Sequence, residues 1–454
     1  MSGAAPIPTA SPPDRPAGTD EPISASAWIT LTVLLLFYLM SFVDKQMIAL
    51  LVNPMGKGLD LQDSQLGLLV GAAFGIFYTL SVFGAGWLLD RYSKRTILFV
   101  AVLGWSLAAA ATGLAWSFEQ LFVARALVGI GEGFLPPASL ALIAAVFPRG
   151  RITMATSIFF AGSNIGSVLA LLVGGRAIAW LDARGGAVLP FLGHLEAWRA
   201  AFVLSALPGI PLALLAFAIH RGASQPVPRA VARIEGEDDG YLRFLRARTR
   251  LLVCHNLAYG LMSSACYAVL LWAPAYLERG FGWGADRVGM VLAIGSACGA
   301  AANIGWGMMS DRLLRGGRRD AHYRLYPGLY MLCIPVTALT FLWVGPAAFL
   351  PLYMMVSVLL LGSGGMTAAL QLSAPPGLRA RVMGIQTLSS GIFGLALAPT
   401  LVPSLAQYVF RDRQAIGLSI AVVVGVSLLA TILLLFFARR ALREAVEARE
   451  EVGR

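Results

Sequence analysis

Five ionisable side chains lie inside otherwise apolar stretches of this chain: Asp44, Lys45, Arg125, Glu132 and Arg176. Such a group costs about 2.5–3.5 kcal/mol at the centre of a membrane helix, so it tends to pair, line a water-filled cavity or carry protons. Arg125 and Glu132 are seven residues apart, nearly two helical turns, and project from one helix face about 10 Å apart along the axis. This set suits proton binding by a carboxyl group and recognition of a charged solute by a cation. Enzyme chemistry is not indicated. The four histidines include no HExxH and no paired spacing, and His194 with Glu196 alone makes no metal centre. Cys254, Cys266, Cys298 and Cys333 lie within apolar runs without a CxxC. No cofactor and no metal are expected.

Composition dictates the elements that must hold these groups. Of 454 residues, 57% are hydrophobic and 13% charged, against roughly 45–50% and 25% in soluble domains. A membrane-crossing helix takes about 20 apolar residues. Twelve apolar runs follow one another at about 28–51, 66–89, 96–116, 120–146, 153–180, 198–219, 250–277, 287–310, 325–345, 348–372, 382–408 and 415–438. The chain therefore reads as an all-α polytopic membrane protein, with twelve transmembrane helices in two six-helix bundles at 28–219 and 250–438. A cytoplasmic linker at 220–249 joins them, a disordered cytoplasmic tail at 1–27 precedes them and a cytoplasmic tail at 439–454 follows. With the amino terminus inside, inner segments hold 25 Lys and Arg and outer segments seven, which predicts both termini in the cytoplasm of a bacterial inner membrane. The same bias explains the net charge of +11 without nucleic acid. Arginines interleaved with Tyr241, Leu242, Phe244 and Leu245 suit either a short helix on anionic headgroups or a solvated basic linker.

Depth then pairs the charges. If helix 1 ends near Leu51, Asp44 lies about 10 Å from its outer end; if helix 4 starts near Gln120, Arg125 lies about 8 Å and Glu132 about 18 Å from that surface. Asp44 and Arg125 are thus expected to form a salt bridge, with Lys45 snorkelling outward or joining them. Glu132, near the midplane without a cation at its level, is the expected proton-coupling carboxyl, and Asp44 its charge-sensitive neighbour. Further candidates for a cavity wall are Asn164, His255, Asn256, Tyr259, Ser263 and Gln371. His255, Tyr259 and Ser263 recur every four residues and share one helix face.

The halves also echo each other. Gly86, Asp90 and Arg91 recur as Gly307, Asp311 and Arg312 at a constant offset of 221 residues, and Pro148-Arg-Gly-Arg is answered by Pro376-Gly-Leu-Arg. This argues for a duplicated six-helix unit. GWLLDRYSKR at 86–95 resembles the loop 2–3 signature of the major facilitator superfamily, with Ser93 in place of the usual glycine. SFVDKQ at 41–46 and ARALVGIGEGF at 124–134 resemble its spinster-like branch, Lys45 standing where an arginine is expected. The resemblance implies alternating access by two rocking halves about a central cavity and, in some members, proton-linked transport of lipid-like substrates.

Asp90 ends helix 2 at the unfavourable end of the helix dipole. Its compensation is expected from the start of helix 11 and from Arg149, Arg151 and Arg379, which with Gly86 and Arg91 would make a gate that forms only when the cytoplasmic side is shut. The chain is thus expected to be a monomeric, proton-linked secondary transporter of an amphipathic or lipid-like substrate such as a lysophospholipid. Its partners would be that substrate, protons and membrane lipids. The alternative is an efflux or uptake carrier for a small organic anion or drug, which Lys45 and Arg125 also fit; a lipid scramblase or channel is a third reading.

Overall fold

The computed structural model describes residues 23–148, 151–225, 237–318, 320–343, 345–360, 364–375 and 378–452. Most of the amino-terminal tail, Arg149 of the expected gate and residues 226–236 of the linker lie outside the described residues. Among those described, twelve helices are long and apolar enough to cross a membrane: α1 (Ala25–Gly58), α2 (Asp63–Leu89), α3 (Lys94–Leu114), α4 (Phe118–Val146), α5 (Met154–Asp182), α6 (Ala197–Ala218), α7 (Thr249–Phe281), α8 (Ala285–Arg315), α9 (His322–Leu342), α10 (Pro346–Ser373), α11 (Arg381–Phe410) and α12 (Arg413–Ala445). The linker contributes a further helix, Glu237–Ala247.

Two elements depart from the sequence reading. Helix α1 runs to Gly58, beyond the end expected near Leu51, because Asn53 is not punctuation: its Nδ2 donates to Glu278 Oε2 at 2.6 Å, across to the other half. The α5–α6 connection holds a two-stranded antiparallel ribbon, Ala187–Leu189 with Gly193–Leu195, in a chain read as all-helical.

The halves meet on the side away from the termini and part toward the termini. Gly67, Gly71 and Gly75 place a smooth stripe on α2, every fourth residue, against α11. A Cβ on Gly71 would lie 2.7 Å from Ala396 O, and one on Gly75 2.6 Å from Ala396 N. Gly175 on α5 presses equally closely on Ala285 of α8. At these crossings α5 and α11 widen into π-helical stretches, Ala170–Gly174 and Ser390–Leu397. Nearer the termini, Gly84 and Gly86 on α2 and Gly307 on α8 face open space. The apolar core is correspondingly continuous between halves on the far side, where Leu50, Met55 and Leu66 join Ala275, Leu277 and Val402.

Candidate functional site

Asp44, Lys45, Arg125 and Glu132 converge inside the amino-terminal half, within electrostatic reach of one another. Lys45 Nζ donates to Glu132 Oε2 and, at 2.6 Å, to Ser41 Oγ, while Ser41 Oγ donates to Glu132 Oε2 at 2.7 Å. The Glu132 side chain is fully buried and that of Lys45 is 13% exposed. Aromatic rings enclose the ammonium: its nitrogen lies 5.0 Å from the centre of Phe42, 5.2 Å from Phe74 and 5.5 Å from Tyr78. The Arg125 guanidinium lies 5.2 Å from the same Phe74 ring, so two cations share one aromatic side chain. Asp44 Oδ2, Glu132 Oε1 and Arg125 Nε are buried and have no hydrogen-bond partner among the described residues.

The helix-4 glycines make this convergence possible. A Cβ on Gly129 would lie 2.5 Å from Phe74 O, and one on Gly133 2.7 Å from Tyr78 O. Helix α4 therefore touches the α2 backbone and brings Phe74 and Tyr78 beside Lys45. Just past Glu132 the helix breaks at Phe134, ahead of Pro136 and Pro137, whose missing N–H groups cannot continue the ladder.

The expected Asp44–Arg125 salt bridge does not form; Lys45 pairs with Glu132 instead, and Asp44 has no ion pair among the described residues. Helix length explains the correction. With α1 ending at Gly58 and α4 starting at Phe118, Asp44 and Glu132 each lie about 21 Å from the outer ends of their helices and Arg125 only about 10 Å. Glu132 thus has a cation at its own level, and Lys45 does not snorkel away.

The carboxy-terminal half brings Tyr267 and Tyr259 of α7 within electrostatic reach of Tyr38 on α1. Ser263 and Ser390 share a 2.9 Å hydrogen bond between α7 and α11. His255 does not belong to the expected cavity-lining stripe: it is fully buried and its Nδ1 shares a 2.6 Å hydrogen bond with Tyr323 of α9. Asn256 bonds back to Leu252 O at 2.7 Å. Asn164 and Gln371 are exposed, and neither joins the charge cluster. Glu196 is taken by Trp198 Nε1 at 2.8 Å and by Arg199.

A latch between the halves was missed from sequence. On the side away from the termini, Arg279 of α7 grips Asp63 of α2 with two hydrogen bonds of 3.0 Å and donates to Asn53 Oδ1 at 2.8 Å. Arg413 approaches the same carboxylate at 3.5 Å. Gln407 Nε2 donates to Gln62 and its Oε1 accepts from Ser64 N. In sequence these residues read only as surface charge and loop polarity; no spacing within either half marks them as partners. On the termini side, Gly86, Asp90, Arg91, Arg151 and Arg379 are all exposed or half-exposed. Arg91 lies 3.7 Å over the Trp87 ring and Arg379 donates to Ala374 O. Among the described residues, no hydrogen bond or ion pair joins Asp90 to Arg151 or Arg379. The molecule is latched on one face and open on the other.

Known proteins share this fold. Residues 34–399 match the family profile described as Major Facilitator Superfamily. The chain is 26% identical over 409 residues to an MFS-type efflux pump of Mycolicibacterium smegmatis, covering 88% of this chain and 89% of that protein. It is 24% identical over 335 residues to a probable galactarate/D-glucarate transporter of Bacillus subtilis, covering 67% and 70%. Its fold is similar, with a TM-score of 0.73 and 22% identity, to a bacterial homologue of the human lysosomal transporter Spinster in an inward-facing, unoccupied conformation, covering 93% of this chain and 98% of that one. With twelve spans in two halves and a family match running from α1 into α11, this integral membrane chain belongs to the major facilitator superfamily of secondary transporters and is not an enzyme.

Proposed function

We propose that the chain is a proton-linked carrier of a small organic anion, with Lys45 and Arg125 as the counter-charges and Glu132 and Asp44 as the proton-binding carboxyl groups. The observation that supports this is the Lys45–Glu132 pair enclosed by Phe42, Phe74 and Tyr78. Two acids and two bases balance in the resting cluster. A proton on Glu132 removes one negative charge and releases Lys45, which then accepts a substrate carboxylate while the rings contact its organic portion. One proton for each substrate carboxylate, on Glu132 and for a dicarboxylate also on Asp44, leaves the cluster neutral, so the loaded site can be enclosed away from water without a net charge. Departure of the anion returns Lys45 to Glu132 and expels the proton.

The named relatives favour a soluble anion over the lipid-like substrate that the spinster-like motifs suggest, since a sugar-acid transporter is among them. The efflux pump that aligns with most of the chain supports a second reading, export of a drug-like solute in exchange for protons at the same pair. In both, the termini and the linker face the cytoplasm of a bacterial inner membrane. Asp90, with Gly86, Arg91, Arg149, Arg151 and Arg379, then closes the cytoplasmic side before the Asp63–Arg279 latch opens.

Proteoliposomes loaded at neutral pH and placed in acidic medium test the proposal with radiolabelled glucarate, galactarate, a hydrophobic monocarboxylate and a lysophospholipid. Accumulation of an anion above equilibrium, abolished by collapsing the pH gradient, supports it. Accumulation of the lysophospholipid alone overturns it, and export of cationic drugs alone moves the assignment to the efflux reading.

A further inference from the structure

The linker helix Glu237–Ala247 packs on the carboxy-terminal half. Tyr241, Phe244 and Leu245, spaced to share one face, pack with Leu252, Leu370 and Val382, and the Arg381 guanidinium lies 5.4 Å from the Tyr241 ring. The linker is therefore helical here, but Tyr241, Phe244 and Leu245 meet the carboxy-terminal half rather than the headgroups expected from sequence. Between this helix, the first turns of α7 and the first half of α11 runs a groove of ≈ 600 Å³.

Leu242, Val253, Leu257, Leu388 and Ile392 form its apolar walls, and Arg246 stands among its lining residues on the linker side. Asn256, which also lines it, is only 7% exposed and its Oδ1 has no hydrogen-bond partner among the described residues. Position identifies the chemistry of an occupant. Thr249, in the lining, is the first residue of α7, and from this end of the helix, on the side of the termini, the groove follows α7 for about 12 Å to Leu257. Its membrane-facing walls are open, with Val253 50% and Ile392 47% exposed. Around the start of α7 the chain carries Arg243, Arg246, Arg248 and Arg250, while the acids of the linker helix, Glu237, Asp238 and Asp239, stand at its opposite end.

We propose that this groove holds one anionic glycerophospholipid from the leaflet on the side of the termini, an acyl chain between α7 and α11 and the phosphate beside Arg246. An apolar slot ending in arginine matches such a lipid, in which a long chain ends in a phosphate ester. The bound lipid ties the linker helix to α7 and α11. This is independent of the transported substrate.

The test uses the delipidated full-length protein in detergent and follows its thermal unfolding. Palmitoyl-oleoyl phosphatidylglycerol should raise the midpoint by several degrees more than phosphatidylcholine of the same chains, and native mass spectrometry should find one retained phosphatidylglycerol. Arg246→Glu should abolish this difference, Arg246→Lys should keep it, and Leu388→Trp, which fills the slot, should abolish it by a separate route. Equal stabilisation by both lipids, or a full difference surviving in Arg246→Glu, overturns the proposal. An equal shift with glycerol 3-phosphate alone also overturns it, since the occupant would then be a soluble phosphate ester.

Discussion

Lys45 on α1 and Glu132 on α4, 87 residues apart in the chain, share an ion pair just ahead of the break in α4. The pair is enclosed by aromatic rings from α1 and α2, and Asp44, the sequence neighbour of Lys45, has no ion pair among the described residues. A charge pair that is stable only while both members are present makes the cluster respond to a proton on either carboxyl group.

Removing one member should therefore cost more than removing both. Lys45→Met leaves a buried carboxylate uncompensated, a loss of about 3–5 kcal/mol. The double variant Lys45→Met/Glu132→Gln should recover more than half of that. Denaturation of the purified variants in detergent measures the coupling, and strictly additive losses would show that the two residues do not act as a pair.

Glu132→Gln imitates the protonated carboxyl and leaves Lys45 free. It should retain substrate binding and exchange yet lose gradient-driven accumulation, with transport no longer changing between acidic and neutral medium. Full proton-driven accumulation by this variant would leave Asp44 as the coupling group.

Asp63→Asn and Asp90→Asn should move the conformational equilibrium in opposite directions. The first removes the bidentate contact with Arg279 that closes the far side; charged hydrogen bonds contribute about 1.5–3 kcal/mol, so the population open on that side should rise roughly tenfold or more. The second removes a carboxylate that is exposed here and needed only once the termini side has closed, so it should favour the conformation described above. Spin-label distances across each face read both shifts, and displacement in the same direction by the two variants would refute the assignment of separate gates.

Asp320, just ahead of α9, should give stability a defined pH dependence. Burial opposes its ionisation, but hydrogen bonds from Arg439 on α12 and Arg324, with their charges, outweigh burial and hold the carboxyl below the usual Asp value. A carboxylate depressed in the folded state stabilises it above the unfolded pKa, about 3.9, and that contribution disappears as pH falls through the folded value. Asp320→Asn should lower the unfolding midpoint at pH 7, and this effect should shrink as pH falls below about 3.9 and be lost below the depressed folded value. A penalty independent of pH would mean that the substitution acts through packing alone.

Arg221→Cys, an exposed site at the start of the linker, should resist a membrane-impermeant thiol reagent in intact cells and react after permeabilisation. Labelling from the periplasm would reverse the proposed orientation.

Composition and the spacing of apolar runs were sufficient for the twelve spans and the two halves, because a bilayer imposes length and apolarity on each helix separately. The intramembrane charges were legible for the same reason: their cost is local. Which charge meets which was not. The level of Asp44 and Lys45 depends on where α1 ends, and α1 continues to Gly58 because Asn53 finds Glu278 on the other half. Likewise His255 is claimed by Tyr323, and Asp63 by Arg279, across distances in sequence that carry no period. Pairing of polar groups between helices is a property of how helices are shifted and rotated against one another, so only the packed structure decided it.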